Sequence, residues 1–242
     1  MEEEDLFDKI QEMLGKLPEK LNILQEQIDI NLQMEYFKAA QKNREKPVKN
    51  IIGKKDLLFT GELTKAEKKW LLLQLASIDN VEEFRTIERF VKEGDPELRE
   101  WAVLAFQESR MIIESSLLDE NQVFISTGLG GKGSKLRYFI VLLSKNNQDF
   151  SEMQCKIIQS EFNFVFKQSD AELEKIDFLG QITTLLAIIP INVPIKDILT
   201  RAVDECNQFG NFIRDDFIVT NVKVLSINEI YDFLKKHNIS GN

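Results

Sequence analysis

The residues best equipped for chemistry form a run of small side chains with two lysines, Gly128-Leu129-Gly130-Gly131-Lys132-Gly133-Ser134-Lys135. Successive backbone N–H groups with an ammonium beside them can cradle an anion, so Gly130, Gly131, Lys132 and Lys135 are the expected phosphate contacts. The run departs from the phosphate-loop pattern. Lys132 is followed by Gly133, where that pattern needs Ser or Thr, and a strand comes next where a helix N-terminus would hold the anion. A mobile hairpin loop is the competing reading.

Other reactive side chains are sparse. Cys155 and Cys206 lie far apart, each at helical spacing with apolar neighbours (Ile158, Phe162 and Phe166; Leu199, Ala202 and Phe209), so both read as small core hydrophobes. His237, the one histidine, falls in the last turn of a helix, where its charge suits the dipole. Asp215-Asp216 reads as a solvated turn before a strand. No nucleophile–base pairing, metal-ligand spacing or cofactor motif is present, so no cofactor, metal or catalytic residue is expected.

The whole chain sets bounds. Its 242 residues, 43% hydrophobic with 17 Phe, can bury a large core, and the net charge of −9 argues against nucleic acid or an anionic membrane as partner. An acidic start, two scattered cysteines and no long apolar run point to a cytoplasmic protein. Residues 42–55 are the exception: Lys42, Arg44, Lys46, Lys49, Lys54 and Lys55 face only Glu45 as an anion, which reads as a solvated basic linker.

Elements must position these groups. Residues 5–17 show one apolar helical face, and Pro18 opens a second, longer helix with Leu21, Leu24, Ile28, Leu32 and Tyr36 at three- and four-residue spacing. Such a helix packs as an intramolecular hairpin or forms a homodimer through residues 18–40. Asp95 then caps a helix with Pro96 at its first position, and Leu98, Trp101, Ala102, Ala105 and Phe106 make a buried stripe. A shift of about 31 residues, in the range of helical repeats, lays Thr64 on Asp95 and Trp70 on Trp101. Between these units Asn80 opens a helix with Phe84, Ile87 and Val91 on one side and Arg85, Arg89 and Lys92 on the other.

The run Asp95-Pro96-Glu97-Leu98-Arg99-Glu100-Trp101-Ala102 resembles the HEAT-like α-solenoid families over about residues 60–118. The resemblance implies stacked helical repeats and a protein-binding face, for which Arg85, Arg89 and Lys92 are the expected contacts. Because no Gly or Pro interrupts 97–118, that segment can instead run on as one helix.

From 119 onward strands alternate with helices: strands at 123–127, 136–143, 172–179, 182–189 and 217–225, helices at 150–167, 194–209 and 226–236. Gly180-Gln181 between two strands signals a hairpin. The order strand, helix, strand, strand, helix, strand from 136 resembles the ferredoxin-like split βαβ arrangement.

The expectation is an α+β protein: a helical hairpin and basic linker (1–55), HEAT-like repeats (56–118), and a mixed-sheet, ferredoxin-like α+β domain (119–242). Its expected function is protein–protein scaffolding without catalysis. The alternative is a small-ligand or phosphate-binding regulator, or an enzyme, with its site near residues 128–135.

Overall fold

The computed structural model describes residues 21–45, 51–118 and 123–237. The helix expected at 5–17 lies outside them. The described residues form two compact units, one of residues 21–24 and 28–125, the other of 25–27 and 126–237. The protein is α+β.

The first unit is helical. In chain order it contains β1 (Leu21–Ile23), α1 (Ile30–Glu45), a 3-10 helix (Ile52–Phe59), α2 (Lys65–Ala76), α3 (Val81–Glu93), a 3-10 turn (Pro96–Leu98), α4 (Arg99–Leu118) and β2 (Val123–Ile125). Residues 18–40 therefore do not make one long helix. Leu21–Ile23 pairs in parallel with Val123–Ile125, and Asp29 starts α1 afresh, its carboxylate accepting from Asn31 N at 2.8 Å and Leu32 N at 3.3 Å. Leu24, Ile28 and Tyr36 are buried in this unit's own core, so the stripe expected to dimerise is used internally.

α2 sits at the centre. Leu71 through Ala76 are buried at every position, the signature of a helix wrapped on all sides. Its start carries the expected capping box, with Thr64 accepting from Glu67 N and Glu67 accepting from Thr64 N. α3 is amphipathic, with Ile87 and Phe90 buried. Asp95 caps the Pro96–Leu98 turn, and α4 follows as one continuous helix of 20 residues.

This overturns the repeat reading. Paired repeats need the second unit to fold back, and nothing in 99–118 breaks the helix. Trp101 is 4% exposed, packs edge-on against Tyr36 at 5.0 Å between centroids, and donates to Lys69 O at 2.9 Å. Trp70 is 41% exposed. Two tryptophans matched in sequence thus occupy unrelated surroundings.

The second unit contains β3 (Gly131–Lys132), β4 (Lys135–Ser144), α5 (Glu152–Gln168), β5 (Glu172–Leu179), β6 (Ile182–Pro190), α6 (Ile195–Asn207), β7 (Ile213–Thr220) and α7 (Ile227–Lys236). Its sheet runs β7-β4-β6-β5, with β3 joined to the start of β4, and every pairing is antiparallel. The expected mixed sheet is corrected: each helical crossover returns the chain two positions away, with an opposed strand between. The only parallel pair among the described residues is β1 with β2, outside this sheet, where residues 123–127 had been expected to join it.

Ile140 and Leu142 of β4 with Leu185, Ala187 and Ile189 of β6 pack under α5 and α6, whereas Phe139, Val141 and Leu143 with Ile182 and Ile218 meet Ile230 and Leu234 of α7. Burial on both faces explains why these strands read as unbroken apolar runs. Gly180, at φ +66°, makes the expected hairpin turn between Leu179 and Ile182. The last strand begins at 213, earlier than expected, because Asn207 pins it: its amide donates to Ile213 O and its carbonyl accepts from Ile213 N, both at 2.9 Å. Asp215 and Asp216 therefore lie within β7, with Asp216 accepting from Arg214. No helix among the described residues is long and apolar enough to cross a membrane.

Candidate ligand-binding cleft

α1 carries two adjacent stripes. Gln33, Tyr36, Ala40 and Asn43 are buried, while Phe37, Gln41 and Arg44, at spacings of four and three, form the next row outward. α4 does the same: Trp101, Ala102, Leu104 and Ala105 are buried, and Glu108, Met111, Ile112 and Ser115 make the half-buried row beyond. Near Tyr36 and Trp101 the helices are in contact. Farther along, the outer rows enclose a cleft of about 740 Å³, closed at one side by Phe124 of β2.

Phe37, Ala40, Leu104, Met111, Ile112 and Phe124 make the walls apolar, and the Phe37 and Phe124 rings meet edge to face at 6.4 Å. The polar lining is Gln41, Arg44, Glu108 and Ser115. The Tyr36 hydroxyl donates to Glu108 Oε2 at 2.6 Å and Arg44 Nη2 donates to Glu108 Oε1 at 3.0 Å. Glu108 is only 11% exposed and both its oxygens are engaged; Arg44 is 69% exposed. Burial, and then the neighbouring Glu108 carboxylate, hold the Tyr36 phenol well above its ordinary value. It stays a protonated donor and not a nucleophile. Apolar walls with a few convergent polar groups are the usual composition of a small-molecule site.

The residues singled out in the sequence lie elsewhere. Gly130, Gly131, Lys132 and Lys135 belong to a tight hairpin, not an anion cradle. Gly131 pairs with Leu136 and Lys132 with Lys135 around Gly133, whose φ of +63° suits the first central position of a two-residue turn. Both ammonium groups are paired with carboxylates, Lys132 with Glu172 at 2.9 Å and Lys135 with Asp170 at 2.7 Å, and Arg137 grips Glu174 through two bonds of 2.6 and 3.0 Å. The backbone is committed too, with Gly130 O accepting from Arg137 N and Gly133 N donating to Gln25 Oε1. A phosphate there would have to displace these pairs, so the alternative site near 128–135 is not retained.

Arg85, Arg89 and Lys92 are exposed on α3, as their spacing predicts. Arg89 pairs with Glu93 at 2.8 Å and lies over the Phe59 ring at 4.2 Å; Lys92 pairs with Glu88 at 2.7 Å. Two of the three cations are thus paired within α3. The structure does not bring these residues to the cleft. Cys206 is buried, its thiol pushed up to about 12 chiefly by burial, and Cys155 is half-buried. His237 Nδ1 lies 2.9 Å from Phe233 O and its ring stacks on Phe233 at 4.1 Å, a helix-end contact. Among the described residues no three metal-ligating side chains converge. The sequence carried little signal for the cleft, because Glu108 lies in a polar run, Gln107-Glu108-Ser109-Arg110, that reads as a solvated face.

No family model matches the chain, and no curated protein matches it. Solved structures match in part. A putative transposase from Deinococcus radiodurans R1 is 14% identical with a TM-score of 0.38, covering 44% of this chain and 93% of that one. A REP-associated tyrosine transposase bound to a REP hairpin is 8% identical with a TM-score of 0.32, covering 43% of this chain and 68% of that one. These matches are to transposases, not to scaffold or solenoid proteins, and one of them holds a hairpin. The expectations of a HEAT-like solenoid and of a protein–protein scaffold built on it are corrected by the unlike settings of Trp70 and Trp101 and by the unbroken α4, and beside transposase neighbours the expectation of no nucleic-acid partner is not kept. At such identities and TM-scores the activity of those proteins is not carried to this chain.

Proposed function

We propose that the chain is a binding protein whose helical unit takes a small, largely apolar molecule in the cleft between α1 and α4. The observation behind this reading is a space of about 740 Å³ with apolar walls and a polar cluster, Tyr36, Arg44 and Glu108. The neutral dye N-phenyl-1-naphthylamine tests it. Its fluorescence should rise on binding and should not rise with Met111→Trp, which fills the cleft. Equal enhancement by the two proteins would end the proposal. In the same reading the second unit is a ferredoxin-like split βαβ domain, supported by the β7-β4-β6-β5 order, and the unpaired cysteines suit the cytoplasm.

A second reading is favoured by one row on α1. Phe37 is 43% exposed, and Arg44, two turns on in the same row, is exposed with it. An aromatic face with a cation in its row suits a stacked base of single-stranded nucleic acid. Titration with a labelled oligo-dT at two salt concentrations decides: binding that weakens with salt and is lost in Phe37→Ala supports this reading, and absence of binding at low salt removes it.

A further inference from the structure

Resting on the cleft reading above, we infer that the molecule it takes is an amphiphile with an anionic head, the head being held by Arg44 and the chain or ring by Phe37, Leu104, Met111 and Ile112. The argument is one of unspent donors. Among the described residues Glu108 is the one carboxylate lining the cleft, and its two oxygens already accept from the Tyr36 hydroxyl at 2.6 Å and from Arg44 Nη2 at 3.0 Å. A cationic head would have to displace Arg44 from a carboxylate that is 11% exposed. Arg44 stands in the opposite condition. One of its five N–H donors is committed to Glu108, and the side chain is 69% exposed at the cleft.

Neighbouring groups agree with this polarity. Gln41, three residues before Arg44 on the same row of α1, adds an exposed amide to the lining. The nearby α4 carboxylate Glu114 is occupied by Arg110 at 2.7 Å. A guanidinium already oriented by Glu108 presents a planar fork, which matches a carboxylate or a phosphate. The bond to Glu108 also fixes the side chain before the ligand arrives, which lowers the ordering cost of binding.

Four ten-carbon probes that differ only in the head test the inference on the full-length protein: decanoate, decyl phosphate, decanol and decylamine, each competing with N-phenyl-1-naphthylamine. Decanoate or decyl phosphate should displace the dye at concentrations about tenfold or more below decanol, since a charge-assisted hydrogen bond is worth that much. Which of the two is tighter tells carboxylate from phosphate. Decylamine should be the weakest. In Arg44→Gln the anionic and neutral probes should become equal while the dye still binds, and Arg44→Lys should restore part of the preference. Equal displacement by all four from the wild type would overturn the inference and leave the cleft reading standing. Displacement by oligo-dT but by no decyl probe would overturn it in favour of the nucleic-acid reading. The head-group series on the wild type decides even where a variant fails to fold.

Discussion

Tyr36 shows how one hydroxyl can serve both folding and binding. Its ring is fully buried beside Trp101, and its O–H is the inner partner of Glu108. Tyr36→Phe keeps the packing and removes the donor, leaving a mostly buried carboxylate with Arg44 alone, and should cost about 1–3 kcal/mol in urea unfolding. A cost below experimental error would show that the bond is not formed. The cysteines differ sharply in reactivity. With its thiol held at about 12, Cys206 remains protonated at pH 8, so iodoacetamide should modify Cys155 first and reach Cys206 only on unfolding. Mass spectrometry of partly alkylated protein reads the order directly.

Among the elements, α7 offers a pH-dependent helix start. Glu229 accepts from Lys223, from Ser226 N and from Ser226 Oγ, and is held at about 2, the Lys223 contact being the largest cause. Because the folded value lies below the ordinary 4.5, the cap's contribution is complete above pH 4.5 and disappears as the pH falls through about 2. Amide protection in residues 227–236, taken relative to the intrinsic exchange rate at each pH, should therefore fall between pH 4.5 and 2. Ser226→Ala should lower it at neutral pH, with a loss of about 1 kcal/mol. This cap, that of α2 and the Asp95-Pro96 start were all legible in the sequence, because capping depends on residues three positions apart. The break at Asp29 was not. Leu21, Leu24, Ile28, Leu32 and Tyr36 fit a helical spacing equally well, and only pairing with Val123–Ile125, about a hundred residues away, makes 21–23 a strand. The end strand was misplaced for a similar reason, since Asn207 fixes its start through a contact outside the strand. The cleft escaped notice because it exists only where two helices separated by more than fifty residues diverge.

For the molecule as a whole, two compact units, each with its own core residues, imply two unfolding events. One core is built on Leu72, Leu73 and Trp101 of the helical unit, and the others lie on the two faces of the sheet at Ile140 and Val141. Leu72→Ala and Leu142→Ala both delete side chains with 0% exposure and should each cost about 2–5 kcal/mol. Calorimetry should show the first lowering one transition and the second lowering another. A single transition displaced equally by both would mean that the cores melt as one.

The parallel pairing of Leu21–Ile23 with Val123–Ile125 has a topological consequence. The first and last strands of the helical unit are neighbours, about 4.8 Å apart, so the two ends of the 21–125 segment lie together. Circular permutation suits such an arrangement: joining the ends of the 21–125 segment through a short Gly-Ser bridge and opening it between α2 and α3, in the turn at 77–80, should yield a cassette with the same helices and the same cleft.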